Sequence, residues 1–281
     1  MAIGVMFAAA WWGTNVIFHP PKMLPMEIWP DRYRLSYDRV EFETSDGILL
    51  KAWLIPAQSP TDKTILLCHG WGDNKGDLLQ HTHFLARRFN LFMPDFRQHG
   101  ESRGSLSTVG CLEARDIEAA LEFLKNARPS WSASPGIFGL SMGAAIALWA
   151  AARHPRIKAV AIEAPFASFN EVVAQWMKNK THLPYFPTAW LTLLVARLRL
   201  GEDPEPYSPI YQISKISPRP LLAVAGELDR LMPLSVVRKL FDRAKEPKEL
   251  WIIPEATHGK CEEKAGAEYH NRLTDFFAKH L

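Results

Sequence analysis

The sequence predicts an α/β fold: a mostly parallel central sheet with helices on both faces and an inserted helical cap. Three observations carry this expectation. From Val40 onward, short apolar runs alternate with stretches of helical periodicity, the pattern of successive strand–helix units. Several of the runs, Thr64–Cys68 and Gly136–Leu140 among them, are apolar without alternation, as strands buried on both faces must be. The alternation then breaks once, between Pro165 and Ile210, a stretch too long for a simple connection between two strands.

The first eighteen residues stand apart. Ile3 to Trp12 is almost wholly apolar, and Val16, Ile17 and Phe18 extend it. A bilayer span wants about 20 apolar residues, slightly more than this run offers. No positively charged n-region of a secretory signal precedes it. Three readings stay open: the truncated end of a membrane anchor, an interfacial helix, and an arm packed on the protein's own apolar surface. Trp11 and Trp12 suit a membrane interface and equally suit a groove. Membrane association through residues 3–18 is therefore one expectation among three, and localisation stays open between cytoplasmic and membrane-associated. His19 to Pro30, with four prolines, reads as a semi-rigid linker.

Val40–Glu43, the turn formers Ser45, Asp46 and Gly47, and Ile48–Ile55 read as an antiparallel hairpin. Thr64–Cys68 and Leu91–Pro94 follow as strands, separated by helical periodicity over Asp77–Phe89. Leu112, Ile117, Leu121 and Leu124 line one face of a helix closed by Pro129. Gly136–Leu140 is a strand that leads at once into the alanine-rich helical run Met142–Ala152. Lys158–Ile162, Leu221–Ala225 and Leu250–Ile253 complete the strands. Helices over Pro233–Ala244 and Ala265–Lys279 accompany the last two. Within the interruption, Ser168–Lys180 and Thr188–Leu200 are amphipathic helices joined by the kinked run His182–Pro187, which includes Leu183. The expected organisation is an apolar segment and linker over 1–30, a core over 31–164 and 211–281, and a helical cap over 165–210.

Composition narrows the function classes. Hydrophobic residues make up 47% and charged residues 22% of 281 positions, which excludes wholesale disorder. The net charge of +3 balances 33 basic against 30 acidic residues, and no basic run interleaves with aromatics, so no nucleic-acid partner is expected. Cys68, Cys111 and Cys261 show no paired spacing, so neither a disulfide framework nor a zinc site is expected. No metal and no cofactor is called for. The oligomeric state is not legible.

The chemistry lies in a few loops. Gly139-Leu140-Ser141-Met142-Gly143 matches G-x-S-x-G, and a predicted strand precedes it while a helix follows. Glycines flank the serine because a strand must turn sharply into a helix there. A serine hydroxyl needs a base. Among ten histidines, His258 falls just past the last strand, on the edge where active-site loops of open α/β sheets gather. The base needs an acid to fix its tautomer. Asp229 follows the strand Leu221–Ala225, giving the chain order Ser141, Asp229, His258. Glu227, Glu163 and the remoter Asp95 are its rivals.

The backbone N–H groups of Met142 and of Trp71, in His69-Gly70-Trp71-Gly72, are the expected donors to an oxyanion. His69 reads as an anchor of that loop. The loop Asp95–Ser102 reads as structural, with substrate contact by Arg97 or His99 as the alternative. Trp176, Met177, Tyr185, Phe186 and Trp190 are expected to line a substrate pocket under the cap.

Taken together, His69–Gly72, Asp95–Ser102, Gly139–Gly143, Gly226–Asp229 and His258-Gly259 resemble the α/β-hydrolase superfamily over residues 38–281. Within the superfamily the chain resembles the capped esterase, lipase and serine-aminopeptidase-like branch, which the run Ile216–Leu222 also resembles. Gln98 departs from the second glycine that many such relatives carry. Some relatives also carry an N-terminal membrane anchor. The resemblance implies hydrolysis of a small-molecule ester through an acyl-enzyme. Thioester, lipid and peptide hydrolysis on the same three residues stay open, as does a non-catalytic binding protein on this fold. An aspartate-nucleophile reaction is disfavoured by Ser141.

Overall fold

A computed structural model of the protein describes residues 2–182 and 184–281, so Leu183, in the run expected to join the two cap helices, lies outside the described residues. Eight strands form one sheet: β1 (Asp38–Glu43), β2 (Leu49–Ile55), β3 (Thr64–Cys68), β4 (Asn90–Pro94), β5 (Gly136–Leu140), β6 (Ala159–Glu163), β7 (Leu221–Gly226) and β8 (Lys248–Ile253). Their spatial order is β1-β2-β4-β3-β5-β6-β7-β8. β2 pairs antiparallel with both β1 and β4, and every pairing from β4 to β8 is parallel. The predicted hairpin is thus the antiparallel edge of an otherwise parallel sheet. β3 to β6 are buried at every position, which is why their sequences do not alternate.

The strand order reverses around β3. The chain steps from β3 outward to β4, then crosses back to place β5 on the other side of β3. The loops leaving β3 and β5 therefore diverge and leave a crevice at the carboxyl end of the sheet. Ser141 and Trp71 lie on those two loops.

Helices cover both faces: α2 (Lys75–Thr82), α3 (Glu113–Ala127), α4 (Met142–Arg153), α7 (Leu234–Arg243), α8 (Cys261–Ala265) and α9 (Ala267–His280). Two helical spans differ from the sequence reading. The expected helix Asp77–Phe89 begins at Lys75, because Asn74 caps it and Asp77 returns a bond to the Asn74 N–H. It then tightens after Thr82 into a 3-10 turn over His83–Arg87. The last helix is broken at Gly266, whose φ of 50° separates α8 from α9.

Between β6 and β7 stand α5 (Phe169–Thr181) and α6 (Trp190–Leu200), with Ser168 capping the first. They pack with α1 (Ala2–Phe18) rather than alone. Ile17 and Phe18 are buried with Phe169, Val173 and Met177 of α5 and with Leu193 of α6. Ala10 is buried against Leu191 and Val195. The Arg199 guanidinium lies over the Trp11 ring and donates to Thr14 Oγ1. Phe7, Trp11 and Trp12 face away, each about half exposed. Among the described residues, no helix is long and apolar enough to cross a membrane.

The Pro-rich stretch is not a free linker. Met26 and Ile28 are buried, Lys22 Nζ donates to the Ser102 carbonyl, and the Ile28 carbonyl lies so near Gly76 that an added Cβ would stand 2.4 Å from it. The apolar residues between the prolines carry this contact. They cover Trp53 and Lys75, which would otherwise face water.

Candidate active site

Ser141 occupies the turn from β5 into α4, at φ 54° and ψ −111°. That conformation is costly for a residue with a Cβ and persists only where the surroundings enforce it. The surroundings here are two glycines. A Cβ on Gly139 would stand 2.1 Å from the Gly143 carbonyl oxygen, and one on Gly143 would stand 2.0 Å from the Cys68 carbonyl oxygen. The turn can pack against β3 only with hydrogen at both positions. The Ser141 N–H donates to the Glu163 carbonyl, which fixes the turn against β6.

His258, after β8, places Nε2 3.1 Å from Ser141 Oγ and Nδ1 2.8 Å from Asp229 Oδ2. A carboxylate can only accept, so Nδ1 carries the proton and Nε2 presents a lone pair to the serine. The Asp229 side chain is buried at 1% exposure, while that of His258 is 28% exposed. Asp229 Oδ1 accepts from the N–H groups of Leu231 and Met232. The carboxylate is therefore held on both oxygens.

The rival carboxylates do other work. Glu163 is buried, accepts from Tyr269 Oη at 2.6 Å and from the Cys261 N–H, and is pushed up in pKa by burial. Asp95 is paired with the buried Lys75 and accepts from the N–H groups of Lys75 and Glu101. Glu227 accepts from the exposed Glu255 N–H. None of these three is hydrogen-bonded to His258 among the described residues.

His69 accepts at Nε2 from the Phe96 N–H and donates from Nδ1 to the Gly70 carbonyl, and burial holds its pKa well below the usual value. It joins the β3 and β4 loops as a neutral ring. His99 is buried and donates to the Arg97 carbonyl. Arg97 points into the protein, bonded to Asp116 and Asp46. Burial alone would raise the Asp46 carboxyl, but bonds from Arg97, Thr44 and Arg115 hold it far below the carboxylate range. The substrate-contact alternative for Arg97 and His99 is therefore set aside: ion pairs occupy the Arg97 guanidinium, and His99 is buried, its Nε2 without a partner among the described residues.

Met142 opens α4, so its N–H has no partner within the helix. Trp71 lies between Gly70 and Gly72, the latter at φ 81°. Neither N–H has an acceptor among the described residues. The Trp71 indole Nε1 donates to the Ile17 carbonyl at 2.9 Å, which ties this loop to the end of α1. Beside it, burial pushes the Asp73 carboxyl up to about 6, and Asp77 adds to the rise.

An apolar hollow of about 180 Å³ opens at Ser141 and Met142. Trp71, Val109, Phe166 and Ile17 form one part of its wall, and Val172, Val173, Trp176, Leu231 and Met232 the rest. Of the pocket residues expected from sequence, Trp176 lines it. Met177, one turn past Val173, is buried against α1 with Ile17 and Phe18 and does not line it. Tyr185 borders an adjoining hollow that shares Phe166, Val172, Leu231 and Met232 with the first, and Phe186 and Trp190 pack on each other at 67% and 46% exposure. None of these four lines the hollow: α1 takes up Met177, and the kink before α6 turns Tyr185, Phe186 and Trp190 outward. Sequence reasoning missed Ile17, Val109, Phe166, Val172, Val173, Leu231 and Met232. Leu231 and Met232 were within reach, lying two and three residues past Asp229; Ile17 and Val109 arrive from distant segments and carried no signal.

A wider, open hollow borders the other side of His258, lined by Gln175, Asn179, Arg230 and Thr257 among others. Leu228, Leu231 and Pro233 also line it, so the site has an apolar side toward Ser141 and a mixed, more polar side toward His258.

A family profile described as alpha/beta hydrolase fold matches residues 63–191. The chain is 31% identical over 257 residues to the uncharacterized protein YfhR of Escherichia coli (strain K12), covering 88% of this chain and 82% of that protein. It is 30% identical over 223 residues to the uncharacterized YqkD of Bacillus subtilis (strain 168), covering 78% and 72%. Among solved structures, the Pyrococcus furiosus esterase Pf2001 superposes with a TM-score of 0.78 at 26% identity, over 94% of this chain and 98% of that one.

Proposed function

Because this chain belongs to the α/β-hydrolase superfamily, we propose that it hydrolyses carboxylic esters through an acyl-enzyme on Ser141. One observation carries the reading: the unbroken hydrogen-bonded chain from Ser141 Oγ through His258 to Asp229. Its serine is held in a strained conformation of the kind that clusters at active sites. The likeness to an esterase supports the same class.

In this reading Ser141 Oγ attacks the ester carbonyl carbon while His258 Nε2 takes its proton. The N–H groups of Met142 and Trp71 receive the developing oxyanion, aided by the α4 N-terminus. The intermediate collapses, the C–O bond to the alcohol breaks, and His258 returns the proton to the departing oxygen. Water, deprotonated by His258, then attacks the acyl carbon and releases the acid with Ser141 restored. Asp229 stays ionised and stabilises the imidazolium throughout.

The two sides of the site divide the substrate. The apolar hollow beside Ser141 suits the acyl or aryl group. The alcohol leaves on the His258 side, where the lining is open and carries more polar groups, so it is the more hydrophilic half. In this reading α5 acts as a cap, because Val172, Val173 and Trp176 close the acyl side, and α6 packs behind it.

A fluorophosphonate probe should label Ser141. Ser141→Ala should lower turnover of p-nitrophenyl butanoate by on the order of 10⁴-fold. Unchanged turnover in that variant rejects the mechanism.

A further inference from the structure

The loop between β4 and α3 carries a residue that local preference disfavours. Val109 has φ 56°, and a β-branched side chain in the left-handed region is a genuine outlier. The surroundings enforce it. The Glu113 carboxylate, fully buried, accepts from Ser107 Oγ, the Thr108 N–H, Thr108 Oγ1 and the Gly110 N–H, all within 2.7–2.8 Å. The backbone is thus clamped on both sides of Val109. The Phe18 carbonyl holds the same loop from α1, accepting the Ser107 N–H at 2.7 Å.

What this conformation achieves is visible in the cavities. Val109 and Phe166 line the apolar hollow at Ser141 and also line a second space behind it. That space is small, about 10 Å³, and is bordered by Cys111, Phe169 and Tyr207. It holds about one water. The Val109 side chain stands at the junction of the cores around α4, around α5 with α6, and around Phe166 with Met232.

We propose that Val109, locked by Glu113, is the partition that sets the depth of the acyl site and so the longest acyl chain accepted. This rests on the ester-hydrolase reading for its substrate, though not for its geometry. Removing the isopropyl group joins the two spaces and admits about two more methylenes. Each methylene taken from water is worth about a 4-fold gain, so two give about 15-fold.

The test uses the full chain and p-nitrophenyl esters from butanoate to dodecanoate. The readout is the ratio of kcat/KM for the long over the short esters. Val109→Gly, which also relieves the backbone strain, should raise that ratio by on the order of 10-fold, and Val109→Ile should lower it. Glu113→Gln, which turns one accepting oxygen into a donor, should shift the ratio in the direction of the glycine variant. Should the glycine variant fail to fold, Val109→Ala tests the same wall.

A second arm needs no turnover. In Ser141→Ala, calorimetric titration with butanoate, octanoate and decanoate should show the longer acids gaining affinity when Val109 becomes Gly. A gain in binding without hydrolysis by the wild type would reject the esterase reading and keep the partition. Hydrolysis with both ratios unmoved by Gly, Ala and Ile would overturn the partition and keep the esterase.

Discussion

Replacing Asp229 by Asn separates the two jobs of its carboxylate. Oδ1 receives the Leu231 and Met232 N–H groups at 2.9 and 2.8 Å, and an amide oxygen can go on doing so. The amide NH₂ then faces His258 Nδ1, where the carboxylate accepted at 2.8 Å. Two donors cannot share that contact, so the ring takes the other tautomer and Nε2 carries its hydrogen toward Ser141. The base is lost while the fold is kept. The expected fall in kcat is about 10⁴-fold, or about 5 kcal/mol of barrier. Stability should change by no more than about 1 kcal/mol.

Asp229→Ala removes the acceptor as well. It leaves two N–H groups without a partner, at about 1–3 kcal/mol for each that stays buried, and frees the segment that brings Leu231 and Met232 to the acyl hollow. It should therefore lose stability and raise KM in addition to losing kcat. Glu163→Gln should leave kcat within about 3-fold, since Glu163 bonds Tyr269 and Cys261 and not His258. Steady-state hydrolysis of p-nitrophenyl butanoate, paired with urea unfolding, reads all three. Retention of more than about a tenth of kcat in Asp229→Asn, or an equal loss in a folded Glu163→Gln, would refute the assignment of Asp229 as the acid.

Three further outcomes follow from the geometry. The Asp73 carboxyl, raised from 3.8 to about 6, favours the folded state most when protonated. Its contribution is complete below about pH 4 and lost as pH rises through 6, so Asp73→Asn should match the wild type near pH 4 and exceed its stability by about 3 kcal/mol at pH 7.5. A pH-independent difference in urea midpoints rejects this. Gly143→Ala, whose Cβ would stand 2.0 Å from the Cys68 carbonyl oxygen, should cost about 3 kcal/mol or more and abolish fluorophosphonate labelling; a stable, labelled variant would show that the turn can yield. Phe7, Trp11 and Trp12 project from α1, so liposome flotation of the full chain should be lost in a triple serine variant that leaves Ile17 and Phe18 in place. Equal partitioning of the two would remove the lipid-surface reading.

The structure changes the standing of α1 most. Its carboxyl end supplies Ile17 to the hollow, the Ile17 carbonyl to the Trp71 indole and the Phe18 carbonyl to the Val109 loop. Deleting the segment to test a membrane role would therefore also damage the acyl site, which is why surface substitutions are the cleaner probe.

Much of the core was legible from sequence alone, because its signals are local. Periodicity marks strands buried on both faces, and a serine between two glycines after a strand marks a turn that sterics confine to few residue types. Sequence order also singled out Asp229 and His258 as residues following the last two strands. What it left open were questions of distance. Whether Glu163 or Asp229 meets His258 depends on where two strand ends lie in a twisted sheet. All the expected pocket residues but Trp176 lie elsewhere for a related reason: an amphipathic helix announces that it has an apolar face, not which neighbour receives it. Met177 turned to α1, and Phe186 and Trp190 turned to solvent, once α1 and the kink before α6 took their places. Local sterics and hydrophobic period are written residue by residue and determine the elements and the turn at Ser141. Cavity walls are assembled from segments as far apart as Ile17, Val109 and Met232, and only tertiary packing decides that these share one space.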